Sequence, residues 1–152
     1  MIMNPQEVTR QYLSQINIMQ LATAFNDQPW ACTVHFYADE NMNIYWLSNK
    51  HREHSKQIEK NPNVAAAILV HENTPSEKYV IGISVAGTAE LLSEIPEAAI
   101  RGYMNKLSKD PQLIENVKNY VGDEGFYCLV PSRVVLFDSK NFPDKPRQEV
   151  RL

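Results

Sequence analysis

The sequence predicts a mainly β protein in which antiparallel strands form a closed or split barrel and a few helices pack outside it. Short β-like segments follow one another with only polar turns between them, which indicates an antiparallel meander. Closing such a sheet removes the exposed edges that an open sheet would leave. The 152 residues are 43% hydrophobic and 22% charged, which is typical of one globular domain, and we assign residues 1–152 to a single domain.

The first third of the chain predicts a helix and then three strands. Asn4 and Pro5 have the pattern of an N-cap followed by a first-turn proline, and apolar residues follow at helical spacing. The three strands are rich in β-branched and aromatic residues, and they cover residues 18–25, 30–37 and 43–47.

The middle of the chain predicts one helix and two strands. Residues 48–61 suit a polar helix that ends before Pro62, and because Ile58 is almost its only apolar residue, it should lie on a surface or against something polar. Residues 64–70 form a continuous apolar run, which predicts a strand buried on both faces. Residues 79–92 predict a long strand whose glycines indicate bends or bulges.

The last third predicts two helices and further strand. Residues 93–108 carry an apolar helical face with Ser93 as the expected N-cap, and residues 111–121 predict a second short helix. Two strand segments are expected at residues 126–130 and 134–137. Residues 138–152 are interpreted as a proline-containing, partly basic tail.

Bulk charge gives no reason to expect a nucleic-acid or membrane partner. The formal net charge is −3, so no overall positive field attracts nucleic acid or an anionic membrane. No apolar stretch approaches the roughly 18 residues of a membrane span, and the first residues lack a basic start followed by an apolar run. We therefore expect a cytoplasmic protein.

The cysteines and histidines do not form a recognisable metal or redox pattern. Cys32 and Cys128 each lie inside an apolar strand-like run, which favours buried reduced thiols, with a disulfide as the alternative. Neither a cysteine nor a carboxylate completes a ligand spacing with the four histidines, so no metal site is predicted.

Five segments together resemble a known family. In order along the chain they are residues 21–24 (LATA), 29–36 (PWACTVHF), 44–48 (IYWLS), 57–64 (QIEKNPNV) and 85–91 (VAGTAEL). Their order and spacing resemble the pyridoxamine 5'-phosphate oxidase-like family of FMN-binding split barrels. The resemblance implies a six-stranded antiparallel split β-barrel that forms a homodimer, with FMN in the groove between the subunits.

The resemblance also implies which residues bind FMN. Backbone groups of Thr33, Val34 and His35 would face the isoalloxazine ring, and Ser48 and Asn49 would approach the ribityl chain and the phosphate. The polar helix would supply the cationic phosphate ligands, namely Lys50, Arg52, His54 and Lys56. No catalytic residue is identified.

The physical chemistry of this helix also favours an anion site. A strand that leads into a helix N-terminus offers oriented amides and a favourable dipole for a phosphate. Arg52 and Lys56 are four residues apart and share a helical face, although a merely solvated helix would look the same. Gapless alignment on residues 57–64 puts Glu53 where relatives have an arginine. We therefore hypothesise that Arg52 and Lys56 supply the positive charge while Glu53 stays in solvent.

The predicted function is an FMN-dependent oxidoreductase or flavin reductase. Its partner would be a small-molecule electron donor or acceptor, with NAD(P)H as a candidate. Cys32 and Tyr37 stand where the family's named enzyme has basic strand residues, so oxidation of pyridoxamine phosphate is not expected. The alternative is a non-catalytic module that holds flavin, another nucleotide or haem as a carrier or stress sensor.

Overall fold

The computed structural model describes residues 2–71 and 78–152, and this part of the chain forms one curved antiparallel sheet with helices around it. The helices are α1 (Pro5–Gln15), α2 (Glu53–Lys60), α3 (Glu97–Leu107) and α4 (Pro111–Lys118). The strands are β1 (Ile18–Phe25), β2 (Gln28–His35), β3 (Tyr37–Ala38), β4 (Ile44–Asn49), β5 (Asn63–Leu69), β6 (Ile81–Leu91), β7 (Glu124–Asp138) and β8 (Arg147–Val150).

The strand order is that of an antiparallel barrel with one long shared strand. The order is β2-β1-β5-β6-β7-β4-β3, and β8 also pairs with β7. One side of β7 pairs with β6 along its length, and its other side pairs first with β4 and then with β8. The predicted mainly β fold is confirmed, but the described sheet has eight strands rather than six because the short β3 and β8 are added to it.

A β-bulge bends β6 and β7 near their middle. The register shifts between Ala86 and Gly87, which pair with Arg133 and Pro131, so Ser132 is the extra residue on β7. The bulge expected from the glycines is therefore confirmed. It also lets Pro131 sit within a strand, because a bulge tolerates the missing N–H. The two separate strands predicted at residues 126–130 and 134–137 are consequently one continuous strand.

Four other boundary predictions are corrected by the structure. Residues 48 and 49 belong to β4, so α2 begins only at Glu53. Helix α3 begins at Glu97 with Pro96 rather than Ser93 as its N-cap, because a residue that precedes proline avoids helical backbone angles. Helix α4 ends at Lys118, before the expected Val121. The segment 138–152, interpreted as a tail, contains strand β8, because Arg147–Val150 pairs with β7.

Strand β5 is buried on one face rather than on both. Val64, Ala66 and Ile68 point into the barrel, whereas Ala65 and Ala67 are exposed on its outer face. Within one subunit the prediction of burial on both faces is therefore wrong, because alanine is small enough to be tolerated on either face. A stretch of small side chains is thereby left uncovered on the outside of the sheet.

The barrel is split between β2, at one end of the sheet, and β4, the strand next to the other end. β2 and β4 lie in contact, yet no ladder pairing joins them in the described residues. Inside the barrel, large apolar side chains form the main core, including Leu21, Phe36, Ile44, Trp46, Leu129 and Leu136. A second cluster packs α3 and α4 against Tyr45, Phe126 and Cys128 on the outer face of β4 and β7. None of the helices in the described ranges has the length and hydropathy of a membrane-spanning segment.

Candidate functional site

The split in the barrel brings together the two strand segments that the sequence singled out. Thr33, Val34 and His35 of β2 line a cleft of about 340 Å³ together with Leu47 of β4. Four side chains that were not among the predicted FMN-binding residues also line this cleft, namely Tyr103, Lys109, Leu113 and Glu124. Ser48 and Asn49 follow Leu47 directly and end β4. The cleft thus contains the three predicted β2 residues, Ser48 and Asn49 are not part of its lining, and its other wall comes from α3, the α3–α4 connection, α4 and the start of β7.

A tight turn links the end of β4 to α2. The Asn49 side chain accepts a hydrogen bond from the His51 amide at 2.9 Å, and the Asn49 carbonyl accepts one from the Ser55 hydroxyl at 2.9 Å. These bonds fold the first turn of α2 back over the end of β4. The role of Asn49 in the described chain is thus to hold this turn.

This turn places Ser48 and His54 side by side in the protein interior. The Ser48 Oγ lies 2.8 Å from the His54 Nε2, and the two residues are only 7% and 8% exposed. Burial lowers the pKa of His54, and the nearby positive charge of Arg52 lowers it further. The imidazole is therefore mainly neutral at pH 7, and it has a hydroxyl as its polar partner.

The cations predicted for the phosphate do not all converge on this pair. The buried stripe of α2 consists of His54, Ser55, Gln57 and Ile58. At 100° per residue, Lys56 points to the opposite side of the helix, away from the barrel. Arg52 is the N-cap residue, and its charge acts on His54. Of the proposed pair of phosphate cations, Arg52 alone fits the neighbourhood of Ser48.

The remaining charged residues of this region have other surroundings. Glu53 is exposed and accepts a hydrogen bond from the Gln57 Nε2 at 3.2 Å, on the side of α2 that faces β1. Lys50 lines a different cleft of about 480 Å³, beside Glu59 and Glu90. His51 pairs with Asp123 at 3.3 Å in an exposed position. The structure thus leaves Lys50 and Lys56 outside the Ser48–His54 cluster.

The first turn of α2 leaves backbone donors next to this pair. Arg52 makes no side-chain capping bond, so no capping side chain occupies the amides at the helix start. Oriented amides at a helix N-terminus, together with the guanidinium of Arg52, favour a negatively charged ligand group. The buried hydroxyl and imidazole add two polar groups that can bond to phosphate oxygens.

A residue that the sequence did not indicate also reaches the cleft. Lys109, in the connection between α3 and α4, lies with its Nζ 3.0 Å from the Nδ1 of His35. Burial lowers the pKa of His35, and the positive charge of Lys109 lowers it further. His35 therefore accepts through its Nδ1 and carries its proton on Nε2. The two residues are 74 positions apart, so no local pattern could have indicated the contact.

Residues 5–136 match the family model of pyridoxamine 5'-phosphate oxidase. The chain belongs to the pyridoxamine 5'-phosphate oxidase family. A UPF0306 protein of Yersinia pseudotuberculosis is 29% identical over 101 residues, which are 64% of this chain and 67% of that protein.

Solved structures share the family fold and differ in what they bind. HutZ, the heme storage protein of Vibrio cholerae, superposes with a TM-score of 0.68 at 15% identity, covering 87% of this chain and 94% of that chain. A FAD-binding protein of Mesorhizobium loti gives a TM-score of 0.65 at 16% identity, covering 87% and 90%. At these identities the likeness is one of fold. Neighbours with this fold thus include both a flavin binder and a haem binder.

Proposed function

We propose that the protein is a cytoplasmic homodimer that binds FMN at the split between β2 and β4 and uses it in an oxidoreductase reaction. The observation that carries the proposal is the Ser48–His54 pair beneath the uncapped start of α2, with Arg52 beside it. These groups suit a phosphate, while the β2 wall of Thr33, Val34 and His35 suits a flat ring. The family membership and the FAD-binding neighbour support a flavin as the ligand.

In this proposal the protein binds and orients the cofactor. When bound, FMN supplies the electron-transfer chemistry. Ser48, His54 and Arg52 hold the phosphate end, and backbone groups of β2 fix the ring edge. The electron donor or acceptor is a small molecule, with NAD(P)H as the first candidate. In this proposal turnover depends on the redox chemistry of the cofactor.

The direct test is the visible spectrum of the purified protein, followed by titration with FMN, FAD and haemin. Flavin absorption bands and quenched FMN fluorescence at one equivalent per subunit support the proposal. A Soret band on haemin addition, with no flavin binding, would instead support the haem-binding module for which the HutZ fold likeness provides a precedent. Oxidation of NAD(P)H by the flavin-loaded protein then separates an enzyme from a carrier.

Arg52→Ala is expected to weaken FMN binding by roughly ten- to a hundredfold, because it removes a charge-assisted contact to the phosphate. Lys56→Ala is the matched control, since Lys56 points away from the barrel and its loss should leave the affinity unchanged. Glu53→Arg is expected to strengthen binding by adding positive charge beside the uncapped helix start. Fluorescence titration of the three variants side by side measures these changes. Equal losses in Arg52→Ala and Lys56→Ala would contradict the assignment.

The homodimer is proposed to form through the outer face of the sheet. A shallow groove of about 450 Å³ crosses this face, and its exposed lining includes Ala22, Ala31, Ala65 and Ala67. Larger apolar side chains are also exposed on these strands, with Ile18 at 45%, Trp30 at 46% and Leu69 at 69%. Small side chains let a second sheet approach closely, and the exposed apolar residues add hydrophobic area.

Ala65→Arg is expected to convert the dimer into a monomer at micromolar concentration, because it introduces a desolvated charge into the proposed interface. Ala98→Arg is the matched control, since Ala98 is exposed on α3. Light scattering coupled to size-exclusion chromatography measures the mass of each variant. A monomeric wild-type protein, or an Ala65→Arg variant that remains dimeric, would contradict the proposed interface.

A further inference from the structure

We propose that the phosphate end of the ligand binds together with one proton, which His54 takes up, so that affinity falls as the pH rises through the neutral range. The inference rests on the proposed function, because it concerns the phosphate end of that same site. It adds a property that neither the fold nor the family assigns. The site would select a phosphate monoester and would do so in a pH-dependent way.

The geometry limits how many hydrogen bonds the neutral site can donate. His54 Nε2 lies 2.8 Å from Ser48 Oγ, so the ring and the hydroxyl share one proton position between them. Whichever tautomer is present, a neutral imidazole has a single N–H. Protonation supplies a second N–H, and where Nε2 had accepted from Ser48 it also releases the hydroxyl hydrogen for another acceptor. A phosphate dianion, which carries three acceptor oxygens, is bonded better by the protonated pair.

The charges around His54 keep it neutral until an anion arrives. Arg52 is the charged group that acts on the imidazole, and both its charge and the burial of the ring lower the pKa of His54. The strands packed against α2 or bonded to its start are β1, β2, β4, β6 and the first half of β7, whose Tyr127 is hydrogen-bonded to Ser55. Their titratable groups are Cys32, His35, Tyr45, Glu90, Glu124, Tyr127 and Cys128. None of these groups acts on the charge of His54. Among the described residues, no carboxylate therefore stabilises the protonated form of the His54 ring before the ligand binds.

Binding of a dianion reverses this balance. A negative charge within hydrogen-bond distance favours the imidazolium and so raises the pKa of His54 in the complex. Between the pKa values of the free and bound states, binding takes up one proton, and affinity changes by up to tenfold per pH unit. The lowered pKa of His54 in the free protein sets the lower edge of this window, and the pKa raised by the bound dianion sets its upper edge. The second pKa of a phosphate monoester is about 6, so measurements above pH 6.5 keep the ligand mainly dianionic.

The experiment is fluorescence titration of the wild-type protein with FMN at half-unit steps from pH 6.5 to 8.5, with riboflavin as the matched ligand that lacks the phosphate. We expect the Kd for FMN to rise by up to about tenfold per pH unit and the Kd for riboflavin to stay flat. Calorimetry in buffers of different ionisation enthalpy should report uptake of up to one proton for FMN and none for riboflavin.

Two variants assign the proton to His54. His54→Gln keeps a hydrogen-bonding side chain but cannot titrate, so FMN should bind more weakly and without the pH slope. His54→Arg carries a charge throughout the range, because arginine does not lose its proton, so FMN should bind tightly and again without the slope. A slope retained in His54→Gln, or absence of proton uptake in the wild type, overturns the inference while leaving FMN binding intact. Failure of the wild type to bind FMN at any pH overturns the proposed function as well.

Discussion

Lys106→Met is expected to lower the free energy of unfolding by about 3 kcal/mol, because it leaves three backbone carbonyls without their donor. The ammonium of Lys106 donates to the carbonyls of Leu13, Ile16 and Phe36 at 2.9, 2.6 and 3.1 Å. It also lies 4.1 Å from the centroid of the Phe36 ring. Methionine keeps the apolar stem but provides no donor.

The position of Lys106 in the fold explains why its substitution should lower the stability so much. The last turn of α1 contains no basic residue of its own, so its terminal carbonyls depend on a donor from elsewhere. Lys106 supplies that donor from α3 and also holds the carbonyl that follows β2. It therefore fixes the β2 wall of the cleft as well as the end of α1.

Urea denaturation followed by circular dichroism measures the loss. Lys145→Met is the control, because Lys145 is exposed and its side chain has no comparable partners, and its effect should stay within about 0.5 kcal/mol. If the two variants differ by less than about 1 kcal/mol, the three bonds of Lys106 do not stabilise the fold as argued.

The stability difference between wild type and Lys106→Met should also depend on pH. Burial lowers the pKa of Lys106 from 10.5 to about 8. Between these two values the unfolded chain holds the proton that the folded chain has released, so unfolding takes up a proton. Raising the pH through this window therefore favours the folded wild type. The difference should widen from pH 8 to pH 10, whereas a constant difference would contradict the perturbed titration.

Much of the fold follows from local patterns, and Lys106 shows where such patterns end. The N-cap at Asn4 and the proline after it predict α1 correctly, because capping involves neighbouring residues. The β1–β2 hairpin is likewise indicated by its polar turn. The contacts of Lys106 with α1 span about 90 residues and depend on where the sheet carries α3. No window of the sequence contains that information.

The candidate site likewise combines residues that the sequence indicates with contacts that only the fold creates. Ser48, Arg52 and His54 lie within one short stretch whose family resemblance indicates them together, and the structure brings Ser48 and His54 into contact. The pairing of Arg52 with Lys56 rested on helical spacing alone. Spacing says which residues share a face but not which face is buried. The buried face of α2 is largely polar, and its Gln57 accepts a hydrogen bond from Thr23 at 2.6 Å, so hydrophobicity could not have identified it.

Gly87→Ala is expected to destabilise the protein by about 3 kcal/mol, because a Cβ at this position would collide with the backbone of the neighbouring strand. The added atom would overlap the carbonyl oxygen of Val130 and lie 2.9 Å from the Cα of Pro131. Backbone atoms of a paired strand cannot swing aside as the tip of a flexible side chain can. The glycine is needed here for close approach, since its φ is not in the left-handed region.

Gly82→Ala provides the matched control within the same strand. A Cβ at Gly82 would meet only the carbonyl of Ile68, at an ordinary 3.5 Å, so the change should stay within about 1 kcal/mol of neutral. For a protein of this size, the Gly87 variant should melt roughly 6 to 12 °C below the Gly82 variant. Similar melting temperatures for the two would mean that β6 and β7 can separate at the bulge without cost. The bulge would then be a flexible part of the barrel. It could not fix the position of β7 at the split, or the position of β4 and its Ser48, which pair with β7.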